Sequence, residues 1–376
     1  IFFYYKYAVI SLVTVFLSVD AGYKIFMFYQ IGDFVNAMLK TSYAQGRPFY
    51  YHPSPNDPCS TTMGMPSGHA MQSFVLYVGV GLLCACGIVQ GLRLQSSSKR
   101  RSIALGCIGF GICVSGITGW ARMFGGMHSY IQIILGWMFG LGLLGVLWKL
   151  RSHFDLSRFR EGNLYWGIRF AIWFVLMAIA LCLYPFVSNW KVPQLWVDNM
   201  AQRCPDALEY PVNDPGHDQF LWSAFFGTTN IAMIIGTDAG MLALYGVVSS
   251  LGNLHKAQAP YRNLYWYHLP GTKARKCALL LVNLAMLMTF CVYSQKALKP
   301  WFTDKSSSNV ARIYTVLSCA NFVFGFLYFT VAVLVANLFY PIILFPQAST
   351  RDSLYVVFDE PSEKSVSPTP ELSFDQ

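Results

Sequence analysis

The feature that most constrains this fold is a series of apolar runs, each long enough to cross a bilayer. A transmembrane helix needs about 20 apolar residues, and about nine such runs can be placed along the chain. Only 12% of the 376 residues are charged, against about 25% in soluble proteins. The sequence therefore predicts an all-α, polytopic transmembrane bundle. The predicted spans are Ile1–Val19, Ala21–Leu39, Ala70–Leu92, Ser102–Trp120, Ser129–Leu147, Leu164–Val187, Phe220–Ser249, Cys277–Tyr293 and Ile313–Val335.

The loop charges predict how this bundle is oriented. Three loops are basic, Arg93–Arg101, Lys149–Asn163 and Lys256–Lys276, and with this span count they lie on one face. The positive-inside rule makes that face cytoplasmic, which places the N-terminus in the lumen and the C-terminus in the cytoplasm. These loops account for the net charge of +9, so no nucleic-acid partner is needed. Residues 346–376 are rich in Ser, Pro and acidic residues and are predicted to be a disordered tail after a membrane domain of residues 1–345.

The tetrapeptide Pro66-Ser67-Gly68-His69 lies where a polar loop meets the third predicted span. Ser67 can cap the helix, and Gly68 allows a ligand to approach the backbone. The free N–H groups of the first helical turn then form an anion site beside an imidazole. On its own this tetrapeptide is also ordinary loop sequence.

Two further stretches supply the remaining parts of a phosphoryl-transfer site. Upstream are Lys40 and Arg47, which lie on one helical face if the helix continues between them. Downstream are Arg122 and His128, with Gln132 one turn later on the face of His128. Cations can stabilise the phosphoryl oxygens, one histidine can attack, and the other can protonate the leaving oxygen. We expect the Gln132 carboxamide oxygen to accept the His128 Nδ1–H, and no metal or cofactor is required.

Polar residues inside the predicted spans have two readings. Asp33 and Asn36 share a helical stripe with Lys40, and such residues form a structural polar seam or line a cavity. Asp238 lies in the middle of the seventh span. For Asp238 a structural interhelical hydrogen bond is favoured over a substrate contact.

The three stretches together resemble the type 2 phosphatidic acid phosphatase superfamily. Its signature is Lys-x6-Arg-Pro, then Pro-Ser-Gly-His, then Ser-Arg-x5-His-x3-Asp. This sequence departs from it at Ala121, in place of Ser, and at Gln132, in place of Asp. The resemblance implies that His128 becomes phosphorylated and that His69 protonates the leaving alcohol. The residues it assigns to phosphate binding are Lys40, Arg47 and Arg122, with Ser67 and Gly68.

One subgroup, the glucose-6-phosphatases, is similar in carrying Gln at the position of Gln132. It also shares the pattern Ile31-Gly32-Asp33-x2-Asn36-x3-Lys40 and the aromatic residues after Gly46-Arg47-Pro48. This resemblance implies hydrolysis of glucose 6-phosphate at a lumenal site in the endoplasmic reticulum membrane, with a sugar-phosphate transporter as a partner.

Two alternatives stay open. A lipid-phosphate phosphatase of the sphingosine-1-phosphate kind is favoured by two stretches that look similar to that group, Gly126-Met127-His128-Ser129 and the Gly64-Met65 that precedes Pro66-Ser67. A non-enzymatic membrane scaffold is disfavoured, because both histidines and all three cations are present.

Cys59 and Cys204 are the two cysteines that this topology places in lumenal loops. The lumen is oxidising, so we expect a disulfide between them. The alternative is two free or shielded thiols.

Overall fold

The computed structural model describes residues 5–16, 19–52, 60, 62–91, 97–155, 158, 161–203, 219–250, 281, 285 and 310–334. All regular structure in these residues is helical, which confirms the predicted fold class. Most of the predicted span Cys277–Tyr293 and the whole tail, 346–376, lie outside them.

Thirteen α-helices are described, and eight of the nine predicted spans overlap with at least one of them. The helices are α1 (Tyr5–Phe16), α2 (Val19–Tyr43), α3 (Pro48–Tyr51), α4 (Gly68–Ser73), α5 (Gly79–Gly91), α6 (Ser97–Phe124), α7 (Tyr130–Lys149), α8 (Asn163–Leu181), α9 (Tyr184–Asn189), α10 (Gln194–Arg203), α11 (Gln219–Phe226), α12 (Asn230–Ser250) and α13 (Val310–Leu334). A π-helical turn, Phe74–Val78, joins α4 to α5.

Four stretches of the described chain are long and apolar enough to cross a membrane: Gly68–Cys86, Arg101–Phe124, Tyr130–Lys149 and Asn163–Asn189. The predicted count of nine is therefore not confirmed. The described part of α1 has 12 residues, fewer than the roughly 20 that a span needs. Helix α2 is long enough, but it carries two acidic and two basic residues.

Helix α2 is the centre of the bundle, whereas α6 is at its periphery. Phe26 and Phe28 of α2 are completely buried, and the Phe26 ring stacks on Tyr328 of α13 with 5.3 Å between the ring centroids. On α6, Leu105 and Phe110 each leave about 70% of their surface exposed. An apolar face of this kind is expected where a helix meets lipid.

Two glycines of α7 allow this helix to approach α4 closely. A Cβ at Gly136 would lie 2.7 Å from the Ser67 carbonyl oxygen, and one at Gly140 would lie 2.6 Å from that of Met71. Larger residues at either position would push the helices apart. The close approach brings the residues just before α7 against the first turn of α4, where the Pro-Ser-Gly-His motif lies.

Asp238 joins three helices through polar contacts. Its Oδ2 accepts from Arg169 Nε of α8 at 2.7 Å and from Trp173 Nε1 at 2.9 Å. Its Oδ1 accepts from the hydroxyl of Tyr23 on α2 and from Arg169 Nη2. These contacts are interhelical hydrogen bonds within a buried ion pair, as the structural reading of Asp238 predicted.

Candidate active site

Gln132 connects all three sequence motifs. Its Oε1 lies 3.2 Å from His128 Nδ1, and its Nε2 donates to the Gly46 carbonyl oxygen at 2.9 Å. Its backbone carbonyl accepts from the Ser67 N–H at 2.9 Å. Because a carbonyl only accepts, the bond to Gly46 fixes the orientation of the amide and directs Oε1 towards His128. Gln132 also closes a capping box with Ser129 at the start of α7.

His128 is held in one tautomer. The residue is 2% exposed, and its Nε2 lies 3.3 Å from Nη1 of Arg47. A guanidinium only donates, so Nε2 is the acceptor and Nδ1 carries the proton that Gln132 accepts. The lone pair of Nε2 therefore faces the arginine side of the site. A nucleophilic imidazole needs this arrangement.

Arg47 is buried among neutral acceptors. It is 3% exposed; Nε donates to the Thr62 carbonyl oxygen at 2.7 Å, and Nη1 donates to that of Met127 at 3.0 Å. Within the described part of the chain, no carboxylate forms an ion pair with it. Burial lowers the pKa of Arg47 to about 10, so it stays cationic at neutral pH.

The backbone between Lys40 and Arg47 differs from a continuous helix. Helix α2 ends at Tyr43, and Ala44 adopts a positive φ of 46°, a backbone conformation that residues other than glycine rarely adopt. Arg47 instead occupies the N-cap position of α3, with Pro48 in the first turn. The turn at Ala44, rather than a shared helical face, therefore directs Arg47 towards His128.

The Pro-Ser-Gly-His segment begins α4 as predicted. Ser67 is the N-cap, and its side chain accepts from the N–H of Ala70 at 3.4 Å. A Cβ at Gly68 would lie 2.7 Å from Oδ1 of Asn36, so a larger residue would have to displace this buried side chain of α2. His69 follows in the first turn and is partly exposed.

The predicted cations and histidines form one electrostatic group. Lys40, Arg47 and Arg122 lie close enough to both His69 and His128 for their charges to act on them. Burial, followed by the charges of Arg47 and Lys40, holds the pKa of His128 well below its usual value, although the bond to Gln132 opposes this shift. His128 is therefore neutral at neutral pH. The structure groups all of these residues; their individual roles stay predictions.

Sequence reasoning missed the groups that support Arg47 and Gln132. Thr62 accepts from Arg47 through both its carbonyl and its hydroxyl. A Cβ at Gly64 would lie 2.6 Å from Nε2 of Gln132, so that position also requires glycine. Thr62 belongs to no recognisable motif. Gly64 stands out in the sequence only through the similarity of Gly64-Met65 to lipid-phosphate phosphatases, which gives no indication of its contact with Gln132. Cys59 and Cys204 lie outside the described residues, and the disulfide stays a prediction.

Residues 22–155 match the model of the PAP2 superfamily. This region runs from α2 to the turn after α7 and contains all three motifs. No curated protein and no solved structure matches the chain. The match supports a phosphatase that acts on phosphate esters, with membrane helices.

Proposed function

We propose that this protein is a metal-independent phosphomonoester hydrolase that works through a phosphohistidine at His128. The observation that carries the proposal is the state of this imidazole. It is neutral, its Nδ1–H is bonded to Gln132, and its Nε2 lone pair faces Arg47. Arg47 makes hydrogen bonds only to neutral acceptors in the described residues, so a phosphate group would supply the missing negative charge.

The reaction has two steps. In the first, Nε2 of His128 attacks phosphorus while the bond from phosphorus to the ester oxygen breaks, and His69 gives its proton to the departing oxygen. In the second, water attacks the phosphohistidine, His69 takes a proton from that water, and the N–P bond breaks to release phosphate. Lys40, Arg47 and Arg122, with the N–H groups beside Ser67 and Gly68, stabilise the charge on the transferring group.

Gln132 acts as a positioning residue in this scheme. Its oxygen fixes the tautomer of His128, as an aspartate also would, but its Nε2 additionally donates to Gly46. A carboxylate cannot donate that bond. The amide contributes a dipole rather than a charge, so it raises the basicity of His128 less than aspartate would.

We favour glucose 6-phosphate as the substrate, at a lumenal site in the endoplasmic reticulum membrane. The glucose-6-phosphatase pattern, including Gln132 and the Asp33-x2-Asn36-x3-Lys40 stripe, supports this assignment. A transporter would supply the sugar phosphate, and residues 1–345 would form the catalytic domain. The alternative substrate is a lipid phosphate.

A hydrolysis panel on purified protein tests the activity. It compares glucose 6-phosphate, mannose 6-phosphate, sphingosine 1-phosphate and nitrophenyl phosphate. We expect an acid-labile phosphoenzyme that maps to His128 and is absent in His128→Ala. His69→Ala should lose turnover of the sugar ester but keep more activity on nitrophenyl phosphate, whose leaving group needs little protonation. A phosphohistidine at His69 would reverse the assigned roles, and no hydrolysis of any ester would refute the proposal.

The latency of hydrolysis in sealed vesicles tests on which side of the membrane the active site lies. Glucose 6-phosphate added to sealed microsomal vesicles should be hydrolysed slowly, and detergent should release the activity. Full activity in sealed vesicles without a carrier would place the site on the cytoplasmic face.

A further inference from the structure

A second polar group lies beside the proposed catalytic residues, formed by Lys6 of α1 and Asp33 of α2. The Lys6 Nζ lies 3.2 Å from Asp33 Oδ2 and 4.9 Å from the centroid of the Tyr29 ring. The side chains remain 11% and 21% exposed. Lys6 lies outside the region that matches the PAP2 superfamily, residues 22–155.

The position of this pair along α2 relates it to the catalytic groups. Lys40, Asn36 and Asp33 form one stripe, and the seven-residue separation of its ends corresponds to about 10 Å along the helix axis. Asn36 contacts the position of Gly68, so it lies at the level where α4 begins and His69 follows. Asp33 is about one turn deeper. Along this stripe, Lys40 is the proposed phosphate-binding cation, and Asn36 lies at the level of His69, the proposed general acid. Asp33 and its partner Lys6 lie beyond that level.

The in-line geometry of phosphoryl transfer predicts which part of the substrate lies at the depth of Asp33. The leaving oxygen departs opposite the attacking nitrogen, and His69 must reach it to protonate it. The rest of the leaving alcohol then extends beyond His69, away from His128. Lys6 lies close enough to His69 for their charges to interact. Along α2, Arg47 beyond the end of the helix contacts His128, whereas the Lys6–Asp33 pair lies past the level of His69. We therefore assign the pair to the leaving-group side of the site.

Asp33 retains capacity for a ligand. Its bond to Lys6 uses Oδ2, and no other donor among the described residues reaches the carboxylate. The ion pair at the other end of α2 differs in its composition. Lys24 there contacts two carboxylates, those of Asp20 and Asp155, whereas Lys6 contacts one, that of Asp33. A carboxylate oxygen and an ammonium group suit the acceptor and donor needs of neighbouring hydroxyls.

We propose that Asp33, Lys6 and Asn36 form a hydroxyl-binding subsite for the leaving group of a polyhydroxylated phosphate ester. This inference rests on the proposed phosphatase function and assigns the sugar specificity to these residues. An alkyl chain in the same place would desolvate the ion pair without replacing its hydrogen bonds. The subsite therefore selects a phosphorylated sugar over a lipid phosphate.

The test measures kcat/KM for glucose 6-phosphate and for nitrophenyl phosphate, which lacks the sugar hydroxyls, with Asp33→Asn. We expect the ratio of the two values to fall roughly 10- to 100-fold, the range for losing a hydrogen bond to a charged group. The matched control is Asp20→Asn, which weakens the ion pair at the far end of the same helix and should leave the ratio unchanged. Nitrophenyl phosphate hydrolysis also reports that each variant has folded.

A second variant, Lys6→Met, keeps the test decisive if Asp33→Asn fails to fold, and it should lower the same ratio. An equal loss on both substrates would show a purely structural ion pair and overturn the subsite, as would an unchanged ratio. Faster hydrolysis of sphingosine 1-phosphate than of glucose 6-phosphate by the parent protein would also overturn it, while leaving the phosphatase function intact. No hydrolysis of nitrophenyl phosphate by the parent would instead refute the proposed function itself.

Discussion

Among the residues that the structure describes, two buried arginines have opposite surroundings. Arg169 is 7% exposed and binds Asp238 with two hydrogen bonds, Nε to Oδ2 at 2.7 Å and Nη2 to Oδ1 at 2.9 Å. Arg47 is 3% exposed, and its acceptors are the neutral groups of Thr62, Met127 and His128.

This difference distinguishes Arg169, whose charge has a structural role, from Arg47, whose charge can bind a ligand. A buried guanidinium with a bidentate carboxylate is complete within the protein, because both its charge and its hydrogen bonds are satisfied. A buried guanidinium with neutral acceptors satisfies its hydrogen bonds but not its charge. In the part of the chain that the structure describes, Lys40 and Arg122 add further positive charge around Arg47. The first cluster therefore holds helices together, and the second can bind an anion.

The largest expected effect is on stability, at the Arg169–Asp238 cluster. Asp238→Ala leaves the guanidinium buried without a counterion and should lower the free energy of unfolding by about 3–5 kcal/mol. Thermal unfolding in detergent measures this loss. The double variant Arg169→Met/Asp238→Leu should recover most of it, because no lone charge remains. An Asp238→Ala protein as stable as the parent would contradict the comparison.

The matching change at the candidate active site should affect activity instead. Arg47→Gln should lower kcat/KM by about 10²–10³-fold, as expected for a group that stabilises transition-state charge. The free energy of unfolding should change by about 1 kcal/mol or less, because a repulsive charge is lost together with some hydrogen bonds. Arg158→Gln, in the exposed pair with Glu161, is the surface control and should alter neither quantity.

Inorganic phosphate should stabilise the protein through the candidate active site. At 100 times its Kd, a ligand adds about 2.7 kcal/mol to the free energy of unfolding. We expect Tm to rise with phosphate concentration in the parent and in Asp20→Asn, but not in Arg47→Gln. An equal rise in Arg47→Gln would place the anion elsewhere.

The smallest expected effect is a shift in the pH profile. His128 attacks as the neutral base, so activity is lost as pH falls through its pKa. Because that pKa lies below its usual value, the acidic limb of kcat/KM should lie below about pH 6.5. In Gln132→Glu the added carboxylate should raise the pKa of His128 and move the limb upwards, by about one unit for each 1.4 kcal/mol of interaction.

The profile should be a bell, whose two limbs report His128 and His69 as a coupled pair. The alkaline limb reflects the need for one protonated histidine. A profile that is flat from about pH 5 to 8 would show that binding or product release limits the rate.

Residues close together in sequence were the predictable part of the site. Gln132 follows His128 by one helical turn, so its contact with Nδ1 was expected from spacing, and the N-cap role of Ser67 was expected from its residue type. Lys6 and Thr62 could not be found this way, because tertiary packing alone brings them to α2 and Arg47. The span count was less predictable than the fold class, because the charged residues in α2 weaken its hydropathy signal.

The three bonds of Gln132 also constrain which substitutions the chain can accept. Its amide fits only because Gly64 has no side chain, and it donates to a carbonyl that an aspartate would repel. Gln132→Asp would shorten the side chain, break the link to Gly46 and leave a space beside Gly64. Residue 132 is thus epistatic with residues 46 and 64. We expect the aspartate form to need compensating changes around these two glycines before His128 is held in the same orientation.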